Sequence, residues 1–423
     1  MSTTATQPPS PQTITRFLAS QSSVYGPLPS PLTPQSARSW TPPSSPGAGG
    51  HRGRYLWTDA FGVLNFVTLS RETAPGDDQG KSEGYLVLAR RLAETVHDVL
   101  GRTRDGKGRL PGATEEEPLA GGLRIGKVDA GGQDGDGMYH HYATLWMFAL
   151  RQLGLATGEG RWIELAVQLG RASSRSFVKR EGARVRMVWK VGVDGRTVLV
   201  PSEGHLDAAT GFVVYRLVGE AAGRMGIGEG VLRGETEEYR VLMMREGKLE
   251  ASRDTLDLGM ALWMAHFFRG EEWAKRLGEE SMRRVPGVLG MVMKKAPERR
   301  LAFREFGTCL GVRCWDGRDE EAESAVEEVL TFWERHMESS TDEDLRPISM
   351  VMHAAALNPG GQLTYIVGLL QAQKLTTEQP SETVTWTRSR LAVEITYQAE
   401  LGIAFQTDWS ALTCIVPTSR SFP

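Results

Sequence analysis

The chain has 423 residues, of which 40% are hydrophobic, and it carries a formal net charge of −3 with a pI near 6.3. A chain of this length and composition can bury a sizeable core, and its lack of a basic excess argues against a nucleic-acid partner. Three cysteines are too few for a disulfide framework and indicate a reducing compartment such as the cytoplasm. No apolar run reaches the roughly 20 residues that span a bilayer, so no membrane partner is expected.

Residues 1–50 differ in composition from the rest of the chain. They are rich in Ser, Thr and Pro and contain no Asp or Glu. A segment with few large apolar residues cannot offset the entropy lost on ordering, so the composition predicts a disordered arm. Its two arginines and lack of acids leave organellar targeting open as an alternative, although repeated prolines break the amphipathic helix of a transit peptide.

From Tyr55 onward, apolar residues recur at helical spacing and predict an all-α domain over 51–375. Eleven helices are expected near 57–70, 85–100, 138–154, 160–177, 204–223, 234–250, 254–268, 271–285, 303–315, 319–337 and 347–357. A twelfth helix is expected at 363–375. Alternating residues around Val193-Asp194-Gly195 predict one small β-hairpin insertion near 185–200.

The connections between these helices alternate in kind. Short turns at 158–161, 269–271 and 316–318 predict antiparallel helical hairpins, whereas the returns from even to odd helices are longer. A polar or aromatic cluster stands at the start of each odd helix, and six such clusters recur, at 54–59, 134–141, 202–207, 254–257, 303–306 and 346–353. If the odd helices are parallel and the even helices return outside them, all six clusters meet at one end of an inner ring and form a pocket.

Helix N-termini directed into such a pocket favour an anionic or hydroxyl-rich ligand. The alternative explanation is helix capping, which accounts for Asp254 and Thr58. Capping does not account for the aromatic, histidine and arginine residues beside them. These residues are Trp57, Tyr139, His140, His205 and Arg304.

The hairpin pairing, the clusters at the odd-helix starts and the Gly-rich tight returns resemble the six-hairpin glycosidase-like superfamily. The resemblance covers about residues 52–360 and implies an (α/α)6 toroid, the fold of several glycoside hydrolases and of N-acylglucosamine 2-epimerases. It further implies a sugar-like small-molecule substrate in the central cavity, with aromatic side chains stacking on sugar rings and carboxylates or histidines transferring protons.

Candidate site residues follow from the clusters. Glycoside hydrolysis requires two carboxylates, and an epimerase can use paired histidines. The catalytic candidates are Asp136, His205, Asp207, His140 and Glu305, with Asp136 preferred as the acid or base. The candidates for substrate binding are Trp57, Asp59, Tyr139, Arg304, Asp257 and His353. For the carboxylates, the alternative is a purely structural role in capping or in pairing with Arg54 and Arg304, and a lone histidine is usually structural. His140 is expected to face the cavity and His141 the wall.

No metal or cofactor is expected. Lanthionine cyclases also use this toroid and bind zinc through Cys and His, but Cys309 and Cys314 are five residues apart on a helix and diverge by about 140°. The His-Gly repeats of that family are also missing.

Three functions are therefore compared. They are a glycosidase-like enzyme acting by general acid and base, a cofactor-free sugar 2-epimerase, and a non-catalytic toroid that binds a small molecule or a partner. Residues 376–423 lack helical periodicity and are expected to form an irregular tail. Either 363–375 supplies the twelfth helix, or the tail derives from an altered gene model.

Overall fold

The computed structural model describes residues 9–43, 54–73, 79–131, 135–182, 184–315 and 320–363. It is dominated by helices, and all eleven expected from periodicity are confirmed. The helices are α1 (Pro11–Tyr25), α2 (Pro34–Ser39), α3 (Leu56–Glu72), α4 (Gln79–Leu100), α5 (His140–Thr157), α6 (Gly160–Phe177), α7 (Asp207–Arg224), α8 (Arg233–Met243), α9 (Thr255–Ala265), α10 (Glu272–Met293), α11 (Ala302–Cys314), α12 (Glu320–Ser340) and α13 (Arg346–Leu357).

Six helices form a closed inner ring. Each of α3, α5, α7, α9, α11 and α13 contacts the next, and α13 packs back on α3. Helices α4, α6, α8, α10 and α12 each pack outside the inner helix that precedes them. The described residues thus form the expected all-α toroid of antiparallel hairpins.

The burial of the helices explains this sorting. Residues 56–70 of α3 are all buried, because an inner helix is covered on one side by the ring and on the other by its outer partner. In α12 the buried residues fall on one stripe, which includes Val326, Val329 and Trp333, and the opposite face is charged. The sequence shows the same contrast, because α3 is apolar on nearly all sides and α12 is amphipathic.

Helices α9 and α11 approach each other through glycines. A Cβ atom at Gly259 would lie 1.9 Å from the Gly307 carbonyl oxygen, and one at Gly311 would lie 2.3 Å from the Gly259 carbonyl oxygen. The two backbones are therefore in direct contact. This contact brings the starts of α9 and α11 together at the candidate site.

The sixth outer helix is α1, which packs on α13. The expectation of a disordered arm is therefore wrong for residues 9–43. The expected twelfth helix at 363–375 lies outside the described residues except for Leu363, and so does the tail 376–423. Within the described part of the chain, the ring of hairpins is completed by the N-terminal segment.

Two of the five buried residues of α1, Ser20 and Gln21, are polar, and both have hydrogen-bond partners. The Ser20 hydroxyl lies 2.7 Å from His353 Nδ1 of α13, and Gln21 Oε1 accepts a hydrogen bond of 2.9 Å from Asn65 Nδ2 of α3. Phe17 and Tyr25 complete this face and are fully buried. Because the partners satisfy the polar groups, the helix can be buried with little apolar surface of its own.

The β insertion is larger than expected. The predicted hairpin is present as β4 (Lys190–Val191) and β5 (Val198–Val200), whose connection contains Gly195 with a φ of +67°. A second hairpin, β2 (Val178–Glu181) with β3 (Arg184–Met187), precedes it, and β1 (Met138–Tyr139) pairs with β4. The β1–β4 pair connects the insertion to the start of α5.

A 3₁₀ turn at Gly360–Gln362 lies across the other end of the ring. The Gly361 N–H donates to Thr68 of α3, the Gln152 amide of α5 donates to the Gly361 carbonyl, and the Trp263 indole of α9 donates to Gln362. The C-terminal ends of these inner helices are thus bridged, and the opposite end carries the clusters. Among the described helices, none combines the length and apolar character needed to cross a membrane.

Substituting Phe17→Ala should lower the free energy of unfolding by about 3–5 kcal/mol, because it removes a fully buried ring between α1 and the inner ring. Gln12→Ala, at an exposed position of the same helix, should change it by less than about 0.5 kcal/mol. Urea denaturation measures both. Equal stability of the two variants would show that α1 is not docked in solution.

Candidate functional site

The starts of neighbouring inner helices meet at one end of the ring, which we call the rim. Trp57 at the start of α3 contacts His141 of α5, with ring centroids 5.2 Å apart. Asp207 of α7 interacts electrostatically with His141 and with Asp257 of α9. Arg304 of α11 forms an ion pair with Asp254, the N-cap of α9. The expected convergence of clusters therefore holds for five of the inner helices.

Three of the predicted carboxylates are neutralised by arginines. Asp59 receives hydrogen bonds from Arg54 Nε at 2.8 Å and from the Tyr25 hydroxyl at 2.9 Å, and the Asp59 and Arg54 side chains are fully buried. The carboxylate therefore fixes the start of α3 to α1. The pairing of its charge within the core supports a structural role for Asp59, and its part in substrate binding stays a prediction.

Asp136 and Glu305 have similar roles. Asp136 accepts hydrogen bonds from Arg124 at 2.5 Å, from Arg104 at 2.9 Å and from the Gly126 N–H at 3.0 Å. All three partners lie in the connection between α4 and β1, so the Asp136 carboxylate holds separate parts of this one connection together. The buried carboxylate is already paired with two arginines, which supports a structural role, and the assignment of Asp136 as acid or base stays a prediction.

Glu305 accepts two parallel hydrogen bonds from the Arg300 guanidinium, one from Nε at 2.9 Å and one from Nη2 at 2.6 Å. The Trp333 indole donates a further hydrogen bond of 2.9 Å. Glu305 is buried, and this arrangement attaches α11 to α12. These contacts support a structural role for Glu305, and its catalytic role stays a prediction.

Two of the predicted histidines lie in the wall. His140 is fully buried and its Nε2 lies 2.9 Å from the Tyr239 hydroxyl of α8. His353 lies between Ser20 and Glu334, 3.1 Å from the Glu334 carboxylate, and connects α13 to α1 and α12. The expected orientations of the neighbours His140 and His141 are reversed, since His141 lies at the rim.

An aromatic cluster covers one side of the rim. The His141 ring stacks on Tyr139 at 5.4 Å and on Trp189 of the β insertion at 5.7 Å, and Tyr142 packs edge-on against it at 4.7 Å. Trp57 lies 5.4 Å from Tyr142. All except Trp57 are partly exposed. Trp57 and Tyr139 therefore lie in the expected region, together with residues that the sequence did not single out.

His141 is held in one tautomer. The Trp189 indole N–H donates to His141 Nδ1 at 3.1 Å, so the ring proton of a neutral His141 is on Nε2. Burial lowers the pKa of His141 to about 4, and the nearby Asp207 only partly opposes this. His141 is therefore neutral at pH 7 and can donate a hydrogen bond.

An acidic centre occupies the next sector of the rim. It comprises Asp207 and Asp257, with His205, Asp254 and Arg304 around Asp257. The Gly204 N–H donates to Asp207 at 3.1 Å, and His205 Nε2 lies 2.9 Å from the Glu250 carbonyl oxygen. Within the described residues, the Asp257 carboxylate accepts no hydrogen bond, and neither Asp207 nor Asp257 forms an ion pair with an arginine.

The pKa values of these two carboxyls shift in opposite directions. Burial and the charge of Asp254 raise the pKa of Asp257 above its usual value, although His205 and Arg304 oppose the shift. Burial alone would raise the pKa of Asp207, but His140, His141 and the Gly204 N–H together bring it below its usual value. Asp257 thus holds its proton more tightly than an ordinary aspartic acid, and Asp207 holds its proton less tightly.

The sequence did not predict Tyr142 or Trp189 as site residues, and it did not predict that His141 lies at the rim. The consecutive His-His-Tyr at the start of α5 contains the signal, because adjacent helical residues point about 100° apart and one of the two histidines must face the rim. Trp189 belongs to the β insertion and could be placed only by its pairing with β1. In the described ranges, no group of three or more His, Cys, Asp or Glu residues is arranged to hold a metal ion.

Substituting Asp136→Asn should lower the free energy of unfolding by about 3–5 kcal/mol, because it leaves the buried guanidinium of Arg124 without its counter-charge. Asp129→Asn, an exposed position in the same loop, is the control and should be nearly neutral. Thermal and urea unfolding measure the difference. A stable Asp136→Asn protein with a selective loss of ligand binding would contradict the structural role.

No protein-family model matches the sequence, and no curated protein is recognisably similar to it in sequence. Among solved structures, a sugar epimerase from a ruminal bacterium is similar, with a TM-score of 0.45 and 12% sequence identity. The match covers 83% of this chain and 100% of the other. At this level of similarity, the activity of the epimerase does not transfer to this chain.

Proposed function

We propose that the rim is the active site of an enzyme that acts on a sugar-like small molecule by general acid–base catalysis, with Asp257 as the acid and Asp207 as the base. The observation that carries the proposal is the opposite pKa shift of two neighbouring carboxyls that have no arginine partner. Environments that separate the pKa values of two titratable groups are the usual basis for an acid–base pair.

The proposed chemistry is cleavage of a glycosidic or related bond. The raised pKa of Asp257 increases the fraction of molecules in which this carboxyl is protonated, and in that form it donates its proton to the leaving oxygen as the carbon–oxygen bond breaks. The ionised Asp207 takes a proton from water as the water oxygen bonds to the same carbon. Each carboxyl exchanges one proton, and no redox partner is required.

The aromatic cluster supports a sugar as the ligand. The partly exposed rings of Tyr139, Tyr142 and Trp189 offer surface beside the acidic centre, and ring faces pack well against the C–H faces of sugars. The neutral His141 supplies an N–H donor for a hydroxyl group. This mixture of apolar surface and a few directed polar groups is typical of small-molecule sites.

A sugar 2-epimerase is the second candidate, and His205 favours it. Because the Glu250 carbonyl accepts from Nε2, the lone pair of a neutral His205 is on Nδ1, where it can accept a proton from a ligand carbon. The paired-histidine form of this hypothesis is less well supported, since His140 is buried and His141 Nδ1 is occupied. His205 would require a carboxyl such as Asp257 as its counterpart.

The test compares Asp257→Asn and Asp207→Asn with the unchanged protein. In a screen of chromogenic aryl glycosides, both variants should lose at least about 100-fold in turnover, since each removes one proton-transfer group. Solvent deuterium incorporation into free sugars, screened in parallel, would instead favour the epimerase. Turnover unaffected by either substitution would contradict the proposal, and binding without turnover would indicate a non-catalytic toroid.

Stability distinguishes these variants from structural ones. Asp257 has a raised pKa in the folded state, so its ionisation at pH 7 opposes folding, and Asp257→Asn should keep or raise the melting temperature there. Asp207 has a lowered pKa, so its stabilising effect is present at pH 7 and is lost as the pH falls through its folded value. Asp207→Asn should therefore lower the melting temperature at pH 7 and match the unchanged protein at low pH.

A further inference from the structure

A line of buried polar side chains runs from Asp207 into the wall of the toroid. His140 of α5, Tyr239 of α8 and Tyr215 of α7 form it, and all three are fully buried. His140 Nε2 lies 2.9 Å from the Tyr239 hydroxyl, and the Tyr215 hydroxyl donates to the Gly170 carbonyl at 2.7 Å. The rings of Tyr215 and Tyr239 are 4.7 Å apart, and their hydroxyls interact.

At the rim, this line ends in a nitrogen atom without a hydrogen-bond partner. His140 Nδ1 is buried and has no hydrogen-bond partner among the described residues, and it lies 3.8 Å from Asp207 Oδ1. This separation is longer than a hydrogen bond, but a small side-chain rotation would close it. An isolated buried nitrogen is unfavourable, so the arrangement favours a contact between His140 and Asp207.

With a neutral His140 and two neutral tyrosines, the hydroxyl and ring protons of this line can be arranged in two ways. The Tyr215 hydroxyl donates its proton to the Gly170 carbonyl, and the Tyr239 hydroxyl proton either points to His140 Nε2 or rotates away from it. In the first case the His140 proton is on Nδ1 and faces Asp207, which suits an ionised carboxylate. In the second case His140 Nε2 donates to Tyr239, and Nδ1 can accept a proton from a neutral Asp207.

We propose that His140 is a positioning residue for Asp207 and that the His140–Tyr239–Tyr215 line changes tautomer when Asp207 gains or loses its proton. The catalytic part of this inference rests on the proposed function, whereas the coupling itself does not. The line lets Asp207 change charge while the wall of the toroid stays neutral. A buried histidine with only a packing role would have no such coupling.

The other groups that face Asp207 do not replace His140. His141 of α5 is neutral at pH 7, and its Nδ1 already accepts a hydrogen bond from Trp189. Asp257 of α9 disfavours a negative charge on Asp207. Burial raises the pKa of Tyr239 well above its usual value. The Gly204 N–H is a further donor to Asp207. His140 is therefore the side chain whose removal should most affect the titration of Asp207.

The first measurement is nitrogen-15 NMR of the full chain with labelled histidine at neutral pH. His140 should be neutral with its proton on Nδ1, because Tyr239 donates to Nε2. His97, whose Nε2 accepts from the Trp146 indole, serves as an internal reference for this tautomer. A His140 proton on Nε2, or a doubly protonated ring, would overturn the proposal without any variant being made.

The second measurement compares His140→Leu with His140→Asn. The asparagine amide can still donate to Asp207, whereas leucine cannot. In His140→Leu, the Asp207 pKa should rise, and the acid limb of any kcat profile should move to higher pH with it. In His140→Asn, the Asp207 pKa and the acid limb of the kcat profile should stay near those of the unchanged protein. An Asp207 titration that is the same in all three proteins would overturn the coupling. If the Asp207 pKa rises in His140→Leu as predicted but Asp207→Asn keeps full turnover, only the proposed function is overturned.

Discussion

The burial of charge at the ends of the inner helices is the constraint on which the rest of the structure depends. A carboxylate that leaves water must be paired or must keep its proton. Asp59, Asp136 and Glu305 are paired with arginines that lie close to them in the sequence, and each pair fixes the local segment that carries it. Asp207 and Asp257 have no such partner in the described structure, and their pKa values move apart instead. The same requirement thus separates carboxylates that maintain the fold from those available for chemistry.

Closure of the ring depends on a similar matching of polar groups. Helix α1 contributes few apolar side chains, and its attachment uses Ser20 with His353, Gln21 with Asn65, and Tyr25 with Asp59. These partners lie on α13 and α3, the two inner helices at which the ring closes. A buried polar contact contributes stability only when both groups are satisfied, so the fit of α1 is specific to this position. The N-terminal segment is therefore part of the toroid.

The sequence predicted the elements better than the roles of individual side chains. Periodicity located all eleven helices from α3 to α13, because their buried faces are apolar. It missed α1, because two of its five fully buried positions are Ser20 and Gln21. The clusters identified the rim, but not which carboxylates are paired. Arg124 reaches Asp136 and Arg300 reaches Glu305 only through loop conformations that no helical or strand period encodes.

The central proposal is that Asp207 and Asp257, which have no arginine partner among the described residues, act as an acid–base couple at the rim. Carboxyl carbon-13 NMR of the full chain, with the two signals assigned from Asp207→Asn and Asp257→Asn, tests it without knowledge of the substrate. Since the groups interact, their titrations are fitted together. We expect Asp207 to lose its proton below the usual pH range for aspartate and Asp257 to lose its proton above it. The reverse order, or two ordinary titrations, would contradict it.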